Sequence, residues 1–257
     1  RDVVTIAGDV SGGAAPYLDD PVGLNARFLG GEAITTDGNT LWVADSRRIR
    51  AVSLTAPYPV TTVAGTAAGC SSTTPCSDGP GATATFDDLR GLTYYDGLVY
   101  CVDANAAVLR SFDPVTTQVS TLAGTAYATG TVDGTGAAAR FISPRYMTSD
   151  NTGMLYVGDT NGYRIRSYNT VTAYVGTFAG GGAAGYVDGI GTAALVHRPR
   201  GMTSDGTSIY WVEFNQHTVR QGVLATASVT TLVGQHCSGS PCTGGYLEGI
   251  GTAALFD

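Results

Sequence analysis

Short runs of alternating apolar and polar residues recur along the chain, separated by Gly, Asp and Asn turns. One set of runs ends in an acid: LWVAD, LVYCVD, MLYVGD and IYWVE. A later set consists largely of Val and Thr and closes on glycine: VTTVAG, VSTLAG, VGTFAG and VTTLVG. Period-two alternation in segments rich in β-branched and aromatic residues is typical of β-strands. No stretch has a convincing helical period, so the pattern predicts an all-β protein.

These strands belong to a unit that repeats along the chain. Each copy begins at an acid within a glycine-containing turn, and the copies start at Asp20, Asp78, Asp133, Asp188 and Glu248. Four strands, here called a to d, follow in constant order: strand b ends in an acid, strand c in Arg and strand d in Gly. Antiparallel four-stranded units that repeat at roughly 55 to 60 residues are typical of a β-propeller.

The repeat predicts at least four complete blades and a fifth partial one. Residues 1–19 end a preceding blade, residues 20–77, 78–132, 133–187 and 188–247 form blades 1 to 4, and residues 248–257 begin a further blade. Residues 1–8 have the pattern of a strand d without strands a to c, and residues 248–257 stop before a strand a. We expect either a fragment of a five- or six-bladed ring or a neighbouring chain that supplies the missing strands.

The repeated motifs resemble those of the NHL-repeat β-propellers. Blade 3 matches best, with DGTGAAARF at its start, MLYVGD as strand b, RIR in strand c and VGTFAG as strand d. Blade 1 lacks the D-G-x-G turn, and blades 1 and 2 lack the proline before strand a. Some six-bladed propellers related to this family are lyases or lactonases with His, Glu, Asp and Asn around an axial zinc or calcium, so the resemblance allows an enzyme.

Composition narrows the range of partners. The 257 residues include 21 acidic and 14 basic residues, all of the latter Arg, which gives a net charge of −7. A chain without a cluster of basic residues lacks the electrostatic footprint of a nucleic-acid or anionic-lipid binder. The apolar runs are also too short to cross a bilayer, so we expect no membrane insertion in this segment.

The cysteines indicate an oxidising compartment. Cys70 and Cys76 lie close together in one Gly/Ser/Thr/Pro-rich loop, and Cys237 and Cys242 lie in another. Both pairs are predicted to be small-loop disulfides, because a zinc site would need His or Cys partners that the first pair lacks. Cys101 lies in an apolar run and is expected to be a buried free thiol. We therefore predict an extracellular or cell-surface protein.

The acid of strand b and the Arg of strand c flank the same turn in every blade. Residue types kept in all blades usually serve the blade, so we predict pairing with each other, or bonding to backbone, rather than a ligand site. The predicted pairs are Asp45 and Arg50, Asp103 and Arg110, Asp159 and Arg166, and Glu213 and Arg220. The D-G-x-G turn offers one carboxylate, too few for calcium, and its glycines are better explained by positive φ.

The start of strand a carries the candidate ligand site. Glu32, Arg90, Arg145 and Arg200 occupy the equivalent position in blades 1 to 4. Strand a is innermost in a propeller, so these side chains are predicted to lie near the mouth of the axial channel. The planar fork of Arg suits carboxylate, sulfate or vicinal hydroxyls. The alternative is a set of solvated or mutually paired charges.

Histidine gives little support to a metal enzyme. His197, His217 and His236 lie in blade 4 and the loop after it, whereas a catalytic metal normally needs three converging protein ligands. We predict no catalytic residue, no metal and no cofactor. The predicted function is a non-enzymatic extracellular module that binds protein or glycan or that builds a surface or filament assembly, with copies of itself among the candidate partners. The alternative is a six-bladed lyase or lactone hydrolase using calcium or zinc, for which these His are the candidate ligands.

Overall fold

The computed structural model describes residues 2–9, 17–214, 216–234 and 249–254. Within those residues it contains nineteen short strands and five 3₁₀ helices of three residues each. The strands form four antiparallel sheets, one of four strands and three of five, and each contains four strands in the order a, b, c, d. The fold class is a β-propeller of four-stranded blades, which confirms the prediction from the alternating pattern and its period.

The strands follow the blade order along the chain. Blade 1 contains β1 (Gly31–Thr36), β2 (Thr40–Asp45), β3 (Arg48–Ser53) and β4 (Val60–Ala64). Blade 2 contains β5 (Gly79–Pro80), β6 (Leu89–Tyr95), β7 (Leu98–Asp103), β8 (Val108–Phe112) and β9 (Gln118–Ala123). Blade 3 contains β10 (Gly134–Thr135), β11 (Pro144–Ser149), β12 (Met154–Asp159), β13 (Arg164–Asn169) and β14 (Tyr174–Ala179). Blade 4 contains β15 (Gly189–Ile190), β16 (Pro199–Ser204), β17 (Ser208–Glu213), β18 (Thr218–Val223) and β19 (Ser228–Val233).

The chain divides into two compact units, Arg1–Thr121 and Leu122–Asp257, with the boundary inside β9. In the first unit β1 lies beside β6, so the two a strands are neighbours. Trp42 and Ile49 of blade 1 pack in one buried cluster with Leu92 and Phe112 of blade 2. The rings of Trp42 and Phe112 meet edge to face with centroids 6.0 Å apart, a favourable aromatic geometry.

The second unit repeats this packing with different side chains. Its a strands, β11 and β16, are again neighbours. Tyr156 of blade 3 shares a buried cluster with Trp211 of blade 4. Gly222 must be glycine, because a Cβ there would lie 2.7 Å from the ring of Phe178. The rings of Phe178 and Trp211 fill the space beside Gly222, so the core of this unit remains closely packed.

The acidic turn adds a short fifth strand to blades 2 to 4. β5, β10 and β15 each pair with strand d of their own blade, on its outer side. The last glycine of the D-G-x-G turn has φ of 54° at Gly136 and 56° at Gly191, so the turns of blades 3 and 4 need glycine there; in blade 2 the positive φ, 122°, is at Gly79 instead. Among the described residues, no helix is long and apolar enough to span a membrane.

One of the two predicted disulfides lies in the described residues. Cys70 and Cys76 are bonded, with a sulfur–sulfur distance of 2.02 Å. Cys101 is a free, fully buried cysteine, and burial raises the pKa of its thiol to about 12. An inert apolar role for Cys101 follows, since the thiolate is the reactive form. Cys237 and Cys242 lie outside the described residues.

Candidate functional site

The strand-c arginines are buried inside their own blades. Arg166 donates from Nη1 to the carbonyl of Arg140 at 2.7 Å, and from Nη2 to the carbonyl of Val132 at 3.0 Å and to Asp133 at 2.8 Å. Its guanidinium carbon lies 5.2 Å from the ring centroid of Phe141. One fully buried side chain thereby joins strand c to the segment that leads into the blade.

The same arrangement recurs in each blade. Arg50, Arg110 and Arg220 also have no exposed surface and bond to two carbonyls of the leading segment of their blade. Each pairs with an acid of that segment: Asp19, Asp78 and Asp188 respectively. That acid in turn accepts bonds from a threonine of strand d: Thr62, Thr121 and Thr231 respectively. We call this set of contacts the arginine cage.

Blade 1 forms its cage with a residue that the sequence pattern did not single out. Asp19, rather than Asp20, pairs with Arg50 at 2.8 Å and accepts the bonds from Thr62. Asp20 instead accepts a bond from the backbone N–H of Val22. The turn of blade 1 therefore holds one more residue than those of the other blades, which hides the equivalence in a simple alignment.

The acids of strand b fix the loop before strand a. Asp159 accepts bonds from the backbone N–H groups of Ile142 and Ser143. Asp45 and Asp103 do the same for Leu29 and Gly30, and for Asp87 and Asp88, whereas Glu213 accepts one such bond from His197. Burial raises the pKa of Asp103, Asp159 and Glu213 against the effect of these bonds.

Contact between the predicted acid and Arg partners varies among the blades. The oxygen–nitrogen distance is 2.8 Å for Asp45 and Arg50 and 3.0 Å for Glu213 and Arg220, but 3.9 Å for Asp159 and Arg166. Among the described residues, no direct ion pair joins Asp103 to Arg110. Bonding of the acid to backbone is common to all four blades, so both alternatives left open by the sequence occur. These residues hold the blades together and are not available to a ligand.

A β-bulge marks the start of every strand a. The pairing register shifts at Glu32 in blade 1, at Arg90 in blade 2, at Arg145 in blade 3 and at Gly201, next to Arg200, in blade 4. Bulges redirect a side chain and interrupt the ladder locally. Glu32, Arg90 and Arg145 therefore leave the regular alternation of the strand, and Arg200 directly precedes the residue that does so, a feature that the sequence pattern did not predict.

In the first unit the charge at this position is neutralised. Arg90 lies 2.6 Å from Glu32 through Nη1 and 2.9 Å from Asp88 through Nε. Hydrogen bonds and charge attraction from Asp88 and Glu32 raise the pKa of Arg90, although desolvation opposes them. This pair matches the mutually paired alternative for the site, and Arg90 has little capacity left for an external anion.

The second unit differs at the same position. Arg145 donates from Nε to the Ser143 hydroxyl at 3.1 Å, and the guanidinium carbon of Arg200 lies 3.7 Å from the Phe214 ring centroid. Ser143 and Arg198 stand where blade 2 has Asp88. Within the described residues, no carboxylate lies within 4.0 Å of the Arg145, Arg198 or Arg200 guanidinium, and all three are partly exposed. This cationic patch can accept an anion.

The described histidines do not converge on a metal position. Nδ1 of His197 lies 3.2 Å from the carbonyl of Phe214, and its ring stacks at a tilt on Tyr163. His217 has a φ of 54° in the turn between β17 and β18. His236 lies outside the described residues. In the part of the chain that the structure describes, three potential ligands meet at Cys70, Cys76 and Asp103, where the sulfurs are already bonded to each other.

Comparison with known proteins supports the fold and leaves the function open. No family model matches the chain. A stretch of 91 residues is 37% identical to Protein SUPPRESSOR OF QUENCHING 1, chloroplastic, of Arabidopsis thaliana, covering 35% of this chain and 8% of that protein.

Two bacterial structures illustrate the likeness in fold. A protein of unknown function from Bacteroides thetaiotaomicron has a TM-score of 0.57 at 21% identity, over 77% of this chain and 45% of that one. An auxiliary nutrient binding protein from Bacteroides ovatus has a TM-score of 0.51 at 17% identity, over 98% of this chain and 68% of that one. The chain thus spans less than half of the first structure. At these identities the likeness shows the fold alone.

Proposed function

We propose that the chain is a non-enzymatic, NHL-type propeller module that acts outside the cell and binds an anionic group of a protein or glycan through Arg145 and Arg200. The observation that carries the proposal is the difference between the two units at one repeat position. The guanidinium of Arg90 is bound to Glu32 and Asp88, whereas the guanidinium groups of Arg145 and Arg200 have no carboxylate partner among the described residues.

The chemistry of the patch favours a carboxylate or sulfate. A guanidinium presents parallel N–H donors whose fork matches such groups in a bidentate manner. Arg200 is held against Phe214, and Arg145 is restrained by Ser143, so less side-chain freedom is lost on binding than for a fully mobile arginine. Arg145 occupies a bulge and Arg200 directly precedes one, both on hydrogen-bonded blades, which are a rigid support for a binding site.

An extracellular location is the setting that suits the Cys70–Cys76 disulfide, because cytosolic thiols are normally kept reduced. The resemblance of the blade motifs to NHL repeats supports the family assignment within the propeller fold. A bacterial propeller of similar fold that is a nutrient binding protein is compatible with a binding role.

Binding of heparin and of polygalacturonate oligosaccharides by isothermal titration calorimetry tests the proposal. We expect the double variant Arg145→Ala/Arg200→Ala to lose at least tenfold in affinity for whichever probe the wild type binds. Arg90→Ala is the matched control and should retain affinity, because the donors of Arg90 are already bound to Glu32 and Asp88.

Two outcomes would contradict this function. One is a wild-type protein that binds neither probe, and the other is an equal affinity of the double variant and wild type. Metal analysis of the purified protein addresses the alternative enzyme, since stoichiometric zinc or calcium would favour it over a simple binding module.

A further inference from the structure

Blade 1 has one covered face and one open face. Trp42, Ala44 and Ile49 point to blade 2 and are buried. Residues of the other face line an apolar cavity of about 230 Å³, and Ile34 in the middle of that face is 60% exposed. The lining includes Ile6, Ala7, Phe28, Ile34, Val43 and Val52. We call this surface the open face of blade 1.

The repeat identifies what such a face normally packs against. Ile34 pairs with Val43 in the ladder as Leu92 pairs with Cys101 in blade 2. Leu92 is 5% exposed and Cys101 is fully buried, because blade 1 covers them with its Trp42 side. In the second unit Trp211, at the position of Val43, is covered in the same way by Tyr156 of blade 3.

Residues 3–8 extend the same open face. Gly8 donates its N–H to Gly23 as Gly65 does to Gly81, so residues 3–8 have the place of a strand d relative to blade 1. Among the described residues no strand pairs with them. Val3 lies five residues before the closing glycine and is 99% exposed. The valines at the same position in the four blades, Val60, Val119, Val175 and Val229, are 0% or 1% exposed. An unpaired edge beside an apolar surface is a feature that folded proteins normally cover.

The side of a blade that corresponds to the Trp42 side of blade 1 is its covering face, and on blade 4 this face is exposed. Val212 stands where blades 1, 2 and 3 have Ala44, Val102 and Gly158. Ala44 and Val102 have no exposed surface, whereas Val212 is 44% exposed and Leu232 on strand d of the same blade is 37% exposed. The covering face of blade 4 therefore offers the kind of surface that buries Leu92 in the first unit.

We propose that the open face of blade 1 docks the covering face of blade 4 from a second copy of this chain, head to tail. The contact would reproduce between copies the blade-to-blade packing found twice within the chain. The two surfaces are different, so the contact is heterologous and each copy keeps one of the two faces free for a further copy. This proposal is independent of anion binding by Arg145 and Arg200.

Sedimentation velocity of the 257-residue protein over a range of concentrations tests the contact. We expect the wild type to form species larger than one chain as concentration rises. Ile34→Glu and Val212→Glu should each stay monomeric, because each buries a charge in one half of the contact. Val171→Glu changes a residue that is 89% exposed in the turn between β13 and β14, and it should assemble like wild type.

A mixture of the two monomeric variants gives the sharpest result. Ile34→Glu retains an intact blade 4 face and Val212→Glu retains an intact blade 1 face, so an equimolar mixture should form a one-to-one dimer and nothing larger. Circular dichroism with thermal unfolding confirms that each variant is folded. A wild type that stays monomeric, assembly that survives either variant, or a mixture that does not associate would overturn the proposal.

Discussion

Two sets of arginines at fixed repeat positions have opposite surroundings. The strand-c set is fully buried, and each member bonds to two backbone carbonyls and an acid of its own blade. The strand-a set is partly exposed, and its contacts change from blade to blade: Arg90 pairs with two acids, whereas Arg145 bonds to a serine and Arg200 stacks on a phenylalanine.

This difference distinguishes the arginines that each blade needs for its own structure from the arginines that it does not need. A residue that makes the same buried contacts in every blade contributes to blade formation, and its replacement leaves partners desolvated and unpaired. A residue whose position recurs while its partners change is not required by the blade. In a repeat protein, variation of partners at a constant position is therefore a better indicator of a binding site than constancy of the residue itself.

Removal of a caged arginine should have the largest effect. Arg166→Ala leaves the buried Asp159 and two backbone carbonyls without their cation, and we expect a loss of about 3 to 5 kcal/mol in the free energy of unfolding. Arg166→Lys should recover part of this loss, because one ammonium cannot reproduce the planar fork. Urea unfolding followed by fluorescence and circular dichroism measures both. A loss below about 1 kcal/mol would show that the cage is dispensable.

The aromatic wall of the cage should contribute less. Phe141→Leu removes the ring under Arg166 while keeping most of the apolar volume, so we expect a loss of about 1 to 2 kcal/mol. Blade 4 has Val196 in the corresponding place and still forms its cage, which indicates that the ring is not essential. The same urea experiment measures the loss, and an effect as large as that of Arg166→Ala would contradict this ranking.

The fold could be predicted from the sequence because the period of the repeat and the alternation within each strand act together. The sequence predicted contacts within the blade for the acids of strand b and the arginines of strand c, and the structure has these side chains buried. The acid of the cage was not predicted as a partner of the arginine. Asp78 is 32 residues from Arg110 and contacts it only after the leading segment has paired with strand d. The recurring acid at the start of each repeat was the available signal.

The sequence predicted where the residues of the candidate site lie, but not which of its arginines are paired with an acid. Glu32, Arg90, Arg145 and Arg200 all stand at the start of strand a, as the repeat indicated. Whether such an arginine is neutralised depends on which strands lie side by side, since Glu32 reaches Arg90 only because β1 packs beside β6. The bulges depend on backbone pairing and leave no periodic trace in the residues.

The acid of the cage should give a pH-dependent effect smaller than those of the buried groups. Asp78 is about half exposed, and bonds from Thr121 and Arg110 lower its pKa below 3.8 despite desolvation. A carboxyl with a lowered folded-state pKa stabilises the fold above its unfolded pKa, and that stability is lost as pH falls through the folded value. Asp78→Asn should therefore destabilise at pH 7, and its difference from wild type should shrink toward pH 3.

The stability of both proteins at pH 7 and pH 3 can be measured by urea unfolding. Because both retain the buried acids with raised pKa, whose contribution has the opposite sign, the difference between them isolates Asp78. A difference that stays constant or grows on acidification would contradict the assigned role of its carboxylate.

The smallest stability effect should come from the exposed arginines of the second unit. Arg145→Ala removes one bond from Nε to the Ser143 hydroxyl and breaks no ion pair in the described residues. Surface substitutions of this kind usually change stability by no more than about 0.5 kcal/mol. Parallel thermal and urea unfolding of Arg145→Ala and Arg166→Ala compares an arginine of each set in the same blade. If Arg145→Ala costs as much as Arg166→Ala, then Arg145 is part of the blade structure, and the distinction between caged and available arginines is wrong.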